Sequence, residues 1–189
     1  MSNLIDYWYW KNFVPKDKIK EINSFIEKNF DSYENFKDQA KDLNNQSKKT
    51  ALVKVIKYKK IKPYLTDIVQ SFIFCNQRNF GYNLYDLNYS SNINLNIYSA
   101  DNKSKYDWHT DGSNNDIHDI KLTALVNISI KKYEGGDFYI FNNNEAKIDY
   151  FNEPGDMLLF KSNLNHKVTP VIKGERRTLT IFFEGPKFK

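Results

Sequence analysis

Histidine and arginine are scarce in this chain, three of each, so any site built from them is easy to trace. His109 and Asp111 stand two apart in YDWHTDGS, and in an extended segment residues at that spacing project to one side. An imidazole nitrogen and a carboxylate oxygen can then meet at one point, as a metal ion requires. Two imidazoles and one carboxylate on one face of an ion leave the opposite positions open, an arrangement suited to Fe(II) chemistry with dioxygen. The third ligand comes from His118, in an Asn/Asp-rich loop, or from His166, directly before the strand-like KVTPV. Strand register favours His166.

Ten residues beyond His166 lies Arg176, with Pro170 and Gly174 able to turn the chain between them. Two neighbouring strands would carry both residues toward one pocket. The planar guanidinium fork suits a carboxylate, and Thr178 and Thr180 share the face of Arg176 at period two. Arg177 points to the opposite side and is expected to be an exposed surface cation.

These residues need strands to hold them, and the last hundred positions supply strand patterns. YNLYDL, INLNIYS, KLTALVNISI, GDFYIF, AKIDYF, DMLLFK and RTLTIFFEG are short alternating or β-branched runs separated by Asn, Gly, Pro and Asp. An antiparallel sandwich or barrel follows. The first part reads differently. After an aromatic opening, Tyr7 to Trp10, Pro15 leads into a helix with Ile19, Ile22, Phe25, Ile26 and Phe30 on one face. A second helix is expected after Pro63, with Leu65, Ile68, Val69, Phe72 and Ile73 on one face and Gly81 at its end. Residues 31–50 carry no apolar periodicity and read as a surface connection. The expectation is a single domain over 1–189: a helical part at about 11–80 packed on one sheet of a β core at about 83–186.

The chain has 28 Lys and Arg against 23 Asp and Glu, a net charge of +5, and nearly all the positive charge is lysine. That excess is too modest to point to nucleic acid as a partner. The single cysteine, Cys75, excludes an intrachain disulfide and fits a reducing compartment. The opening MSNLIDYWYWKNF lacks a basic stretch followed by an apolar one, and no apolar run approaches the ~20 residues of a membrane span. The reading is a cytoplasmic protein, of a bacterium or phage-infected host, with no membrane contact.

Several blocks together resemble a known family. H-x-D at 109–111, Y-E-G-G-D at 133–137, P-G-D at 154–156, F-x-S at 160–162 and H-x-V-x-P-V-x-x-G-x-R-R-T at 166–178 follow in one order and spacing. That pattern is similar to the 2-oxoglutarate- and Fe(II)-dependent oxygenases of the prolyl 4-hydroxylase-like class, including small phage and bacterial PKHD-type hydroxylases. The resemblance implies a double-stranded β-helix, or jelly roll, of the cupin-like kind. It implies iron at His109, Asp111 and His166, and 2-oxoglutarate with its distal carboxylate on Arg176, assisted by Thr178 or Thr180. By the same resemblance Tyr98 lines the co-substrate or iron pocket, and Asn127 turns a polar side chain toward the co-substrate. Tyr106 and Trp108 would wall the substrate entrance, with Phe160 and Phe182 keeping the cavity dry or simply filling the core.

The activity implied is hydroxylation of a residue, proline favoured, in a peptide or protein, using dioxygen and releasing succinate and CO2, with ascorbate as an accessory. Two other readings are an oxidative nucleic-acid demethylase and a jelly-roll binding module without turnover. The first expects a further arginine downstream, and Arg176 and Arg177 are the last in the chain. The second expects lost ligands, and all are present. Loops 31–50, 101–107 and 113–119 are where substrate choice would lie.

Overall fold

The computed structural model describes residues 5–36, 47–88, 91–112 and 117–188. Strands are numbered in chain order. One antiparallel sheet has the spatial order β1 (Tyr7–Trp10), β10 (Met157–Lys161), β6 (His118–Asn127), β13 (Glu175–Pro186), β4 (Asn92–Ser99), β3 (Leu52–Lys57), β2 (Glu34–Phe36). A smaller antiparallel sheet runs β5 (Tyr106–His109), β11 (Asn165–Val168), β8 (Phe138–Asn142), β9 (Asn144–Lys147). β7 (Glu134–Gly135) and β12 (Val171–Lys173) form a short ribbon. The two sheets face each other as the jelly roll predicts.

Each face of the large sheet has its own cluster, and β13 shows why. Leu179, Ile181 and Phe183 point to one side and join the helices in the larger core. Arg176, Thr178, Thr180 and Phe182 point to the other and line a cavity. Period-two alternation thus assigns a packing face and a chemical face to one strand. The helices are α1 (Lys16–Asn29), which buries Ile19, Ile22 and Ile26, and α2 (Tyr58–Cys75), which buries Ile61, Leu65, Ile68, Val69 and Phe72. Phe72 is 1% exposed and meets Trp10 and Phe183 edge-on. Truncating such a side chain in a packed core costs about 3–5 kcal/mol. Among the described residues no helix is long and apolar enough to cross a membrane.

Pro15, extended at φ −61° and ψ 150°, precedes the first turn of α1, as expected. α2 starts five residues before Pro63, so that proline lies inside the helix rather than ahead of it. The apolar stripe continues back to Tyr58 and Ile61, both buried, and their packing outweighs the missing N–H. α2 runs on through a π-helical turn (Asn76–Phe80) to Gly81, whose φ of +71° needs no Cβ.

Three strands fall where none was expected. β1 is the aromatic opening, paired to β10 at the sheet edge. β2 lies within the presumed surface connection, and β3 continues from it onto β4. Conversely, YNLYDL is not a strand. Gly185 lets the backbone at Asn83 come so close that an added Cβ would sit 2.1 Å from its carbonyl oxygen. The segment therefore crosses β13 as an irregular strap, with Tyr85 N–H bonded to Glu184 O. AKIDYF is strand only as far as Lys147.

The P-G-D block is structural. Asp156 is fully buried, and its carboxylate accepts the backbone N–H of Asn12, Asn152 and Glu153 and the ammonium of Lys11. It ties the end of β1 to the start of β10.

Candidate functional site

β11 sits opposite β5 so that His166 faces His109 directly, with ring centroids 4.1 Å apart. Asp111 lies just beyond β5, its backbone N–H bonded to Ser162 O at 2.9 Å, while the Ser162 hydroxyl donates to Ile120 O on β6. His109 Nε2 is 3.8 Å from Asp111 Oδ1, and His166 Nε2 is 3.5 Å from Asp111 Oδ2. The three ligand atoms all lie within 4.8 Å of one another. The structure thus brings His109, Asp111 and His166 together.

Both rings are set in the metal-binding tautomer. His109 Nδ1 lies 2.7 Å from Asp107 O, and His166 Nδ1 lies 2.9 Å from Leu164 O. A carbonyl only accepts, so each Nδ1 carries the hydrogen and each Nε2 presents its lone pair. Burial, reinforced by the neighbouring His166, pulls the His109 pKa down to about 2, so the ring is neutral. Thr123 Oγ1 donates to Asp111 Oδ2 at 2.7 Å and fixes the carboxylate plane. Phe160 packs on the His166 ring at 4.7 Å, and Phe138 at 5.5 Å. This donor set fits Fe(II) with positions left open.

A bulge aims the strand. Between the pairs His166↔His109 and Val168↔Tyr106, β5 carries one residue more than β11. Residues three apart would otherwise face opposite ways; the extra residue puts Tyr106 and His109 on one face. Their rings stack at 3.4 Å and 16°. The same bulge corrects the expectation for Trp108. Tyr106 lines the cavity, whereas Trp108 lies outside it, against Phe141 and under the Lys167 ammonium.

The cavity has a volume of about 260 Å³, and Arg176 lines it together with the triad. Arg176 is 1% exposed, yet its Nε and Nη2 have no hydrogen-bond partner among the described residues. The rings of Tyr98 and Phe151 stand 5.2 and 5.4 Å from its Cζ. An unpaired buried guanidinium is costly, and a carboxylate would satisfy it. Gly136 makes room: a Cβ there would lie 2.8 Å from Arg176 Cδ, and its φ of +65° suits glycine. The Y-E-G-G-D block is the backing of the arginine socket.

Register then assembles the remaining wall. Tyr98 is opposite Arg176, Asn96 opposite Thr178, and Asn94 opposite Thr180. Tyr98, Thr178 and Thr180 all line the cavity as expected. Thr180 Oγ1 accepts from Asn96 Nδ2 at 2.8 Å and keeps its own hydrogen to donate. The Tyr98 hydroxyl is pushed up to about 12 by burial, with Arg176 opposing and Asp111 adding, so it remains a neutral donor. Phe182 also lines the cavity, while Phe160 is core behind it.

Asn127 is not brought in. It is fully buried, but its Nδ2 donates to Tyr133 OH at 2.9 Å and its Oδ1 accepts from Ser129 N–H, and it does not line the cavity. His118 lies apart from the triad, 3.1 Å from Glu184. Arg177 does point the other way but is no free surface cation. It is clamped to Glu27, Glu175 and Asn23, joining β13 to α1.

Sequence reasoning missed Lys49, Thr123, Asn94 and Asn96, all in the cavity wall. The asparagines had a signal in I-N-L-N-I-Y, polar at every second place and in phase with Tyr98. Lys49 had none, sitting in a polar stretch without period. The loops at 31–50 and 113–119 extend beyond the described residues at 37–46 and 113–116.

Residues 93–184 match the family model of the 2OG-Fe(II) oxygenase superfamily. A PKHD-type hydroxylase of Synechococcus sp. (strain CC9605) is 34% identical over 73 residues, 38% of this chain and 32% of that protein. The matched stretch therefore spans about a third of the curated relative. Among solved structures, a Pseudomonas putida prolyl-4-hydroxylase superposes with a TM-score of 0.72 at 17% identity, over 96% of this chain and 94% of that one. A Trichoplax adhaerens prolyl hydroxylase, in complex with a hypoxia inducible factor peptide fragment, gives 0.65 at 20% identity over 94% and 83%. The likeness of fold runs through the helices as well as the strands. The motif blocks, the two-histidine, one-carboxylate triad and the arginine socket all fall within the stretch that matches the 2OG-Fe(II) oxygenase superfamily, and the fold is shared with solved prolyl 4-hydroxylases.

Proposed function

We propose that this protein is an Fe(II)- and 2-oxoglutarate-dependent dioxygenase that hydroxylates a residue, proline favoured, in a peptide or protein, releasing succinate and CO2. The observation that carries the reading is Arg176. Evolution rarely leaves a buried guanidinium unpaired unless a ligand completes it, and this one shares its cavity with a two-histidine, one-carboxylate triad. A compound with a carboxylate at one end and a metal-chelating group at the other spans those two features. 2-Oxoglutarate is such a compound.

Bound iron and 2-oxoglutarate supply the power to oxidise an unactivated C–H bond with dioxygen. The chain supplies the rest. His109, Asp111 and His166 would hold the metal, and Thr123 steadies the carboxylate. Arg176, with Thr178, Thr180 and the Tyr98 hydroxyl, orients the co-substrate. Phe138, Phe160 and Phe182 keep water from the reacting centre.

Support for a peptide substrate is of two kinds. The structural relatives include proteins described as prolyl hydroxylases, one with a peptide. In addition, Asn94 and Phe182 are shared with a second hollow of about 640 Å³, lined by Tyr85, Ser91, Asn92 and Glu184, which offers a trough for an extended chain. Arg177, turned to the α1 side, gives no second arginine for a demethylase-type pocket. Ascorbate is proposed as an accessory reductant and the cytoplasm as the compartment.

The test is anaerobic loading with Fe(II) and 2-oxoglutarate, then oxygen exposure with proline-rich peptides, single-stranded oligonucleotides or neither, with and without ascorbate. Succinate plus a peptide mass gain of one oxygen supports the full reading. Succinate without it keeps the oxygenase and dismisses the proline substrate; no iron uptake and no succinate dismisses both.

A further inference from the structure

Lys49 belongs to neither sheet, yet its surroundings connect them. Thr50 N–H bonds to Lys105 O at 3.1 Å, Asp107 N–H to Lys48 O at 2.9 Å, and Lys49 pairs with Tyr106 as an isolated antiparallel bridge. The segment 48–50 thus laces β5 of the small sheet to the approach of β3 in the large one. Because paired residues share a face, the Lys49 side chain follows that of Tyr106 into the cavity.

There the ammonium has two further neighbours. Lys49 Nζ lies 4.5 Å from the centroid of the Tyr106 ring and donates to Asn96 Oδ1 at 2.9 Å. The Tyr106 ring itself stacks on the His109 ring at 3.4 Å. Asn96 in turn donates to Thr180 on β13. Cation, phenol ring and metal-ligand imidazole form one stack, anchored through Asn96 to the strand that carries Arg176.

We propose that Lys49 is a positioning residue for the metal centre, pressing Tyr106 onto His109 and so fixing the plane in which His109 Nε2 meets the ion. The inference rests on the iron reading of the triad. His109 Nδ1 is already fixed by Asp107 O, which sets the tautomer but leaves the ring free to rock about that bond. The stack removes that freedom. Lys49 acts through Tyr106, and its charge also reaches His109 through space, where it opposes a cation rather than favouring one.

The test uses Co(II) as a spectroscopic probe of the whole protein, without turnover. Lys49→Met keeps most of the side chain's length and removes both the cation and the donor. It should weaken Co(II) binding about five-fold, which is ~1 kcal/mol, the scale of one partly buried cation–π contact. The Co(II) d–d spectrum should broaden or shift. Lys49→Arg should restore both, since it retains a cation and a donor. Tyr106→Leu should reproduce the loss, and Lys49→Met on that background should add no further loss, because the route through the ring is gone and only the through-space repulsion is relieved. A role confined to lacing the sheets would lower the melting temperature and leave the spectrum and affinity of folded protein unchanged, which overturns the proposal. So does an additive loss of affinity in the double variant. Wild-type protein that takes up no Co(II) removes the metal centre itself, and the proposal with it; a normal wild-type centre with an unaltered Lys49→Met variant removes the proposal alone.

Discussion

Replacing Arg176 with methionine should make the protein more stable without its co-substrate and less stable with it. In the co-substrate-free protein Nε and Nη2 are buried without partners, and each such donor costs about 1–3 kcal/mol. The rings of Tyr98 and Phe151 offset part of that, about 0.5–2 kcal/mol each. Methionine fills similar space without charge, so a net gain of ~1 kcal/mol is expected, or about 2–4 °C for a chain of this size. With 2-oxoglutarate the balance reverses. Two charge-assisted hydrogen bonds at about 1.5–3 kcal/mol each are lost, which weakens binding by roughly 10²- to 10⁴-fold. Wild-type protein at a hundred times its Kd gains ~2.7 kcal/mol from the ligand, and the variant gains almost nothing. Thermal unfolding of the anaerobic metal-loaded proteins, with and without 2-oxoglutarate, should therefore show the two melting temperatures crossing. A variant that melts below wild type in both conditions would refute the reasoning, because the arginine would then be satisfied without a ligand. Equal stabilisation of both proteins by 2-oxoglutarate would refute the socket.

Three further outcomes are expected. His109→Ala, Asp111→Ala and His166→Ala should each abolish iron retention measured after desalting, while His118→Ala should retain it, since its neighbour is Glu184 and not the triad. Thr123→Val should keep the fold and lower metal affinity roughly ten-fold in competition with a chelator, because the Asp111 carboxylate loses the hydrogen bond that orients it. Arg177→Ala should destabilise by ~1–2 kcal/mol in denaturant unfolding, discounted for the half-exposed Glu27 and Glu175, and leave 2-oxoglutarate affinity unchanged.

The metal triad was legible because its residue types are rare and its geometry follows from strand period. With only three histidines, His109-x-Asp111 and a histidine before a strand left little choice. Arg176, Thr178 and Thr180 were legible for a related reason: one register decision places all three, and the helix-side run Leu179, Ile181, Phe183 confirms it from the other face. What stayed hidden depends on contacts between segments distant in the chain. The β5 bulge separates Tyr106 from Trp108 although their spacing reads as one face, and nothing local in YDWH announces it. Lys49 reaches the cavity only because the chain doubles back through β3 beside β4, and β3 is short and interrupted by Lys54 and Lys57. Asn127 has the right face but the wrong partner, since Tyr133 takes its amide. Pro63 misled because the burial of Tyr58 and Ile61 outweighed a local rule.

β13 joins β4 to β6, and it follows both in the chain. Until it emerges the large sheet consists of two unconnected halves, each with an unpaired edge, so closure of the barrel must wait for the ribosome to release the strand at the centre of the sheet. Long-range pairing of this kind is slow and leaves sticky edges in the interval. The same strand brings Arg176. A nascent chain therefore acquires its co-substrate socket and the joining of the large sheet in a single event, which would make 2-oxoglutarate a ligand only of chains whose sheet is joined and a stabiliser of that joining.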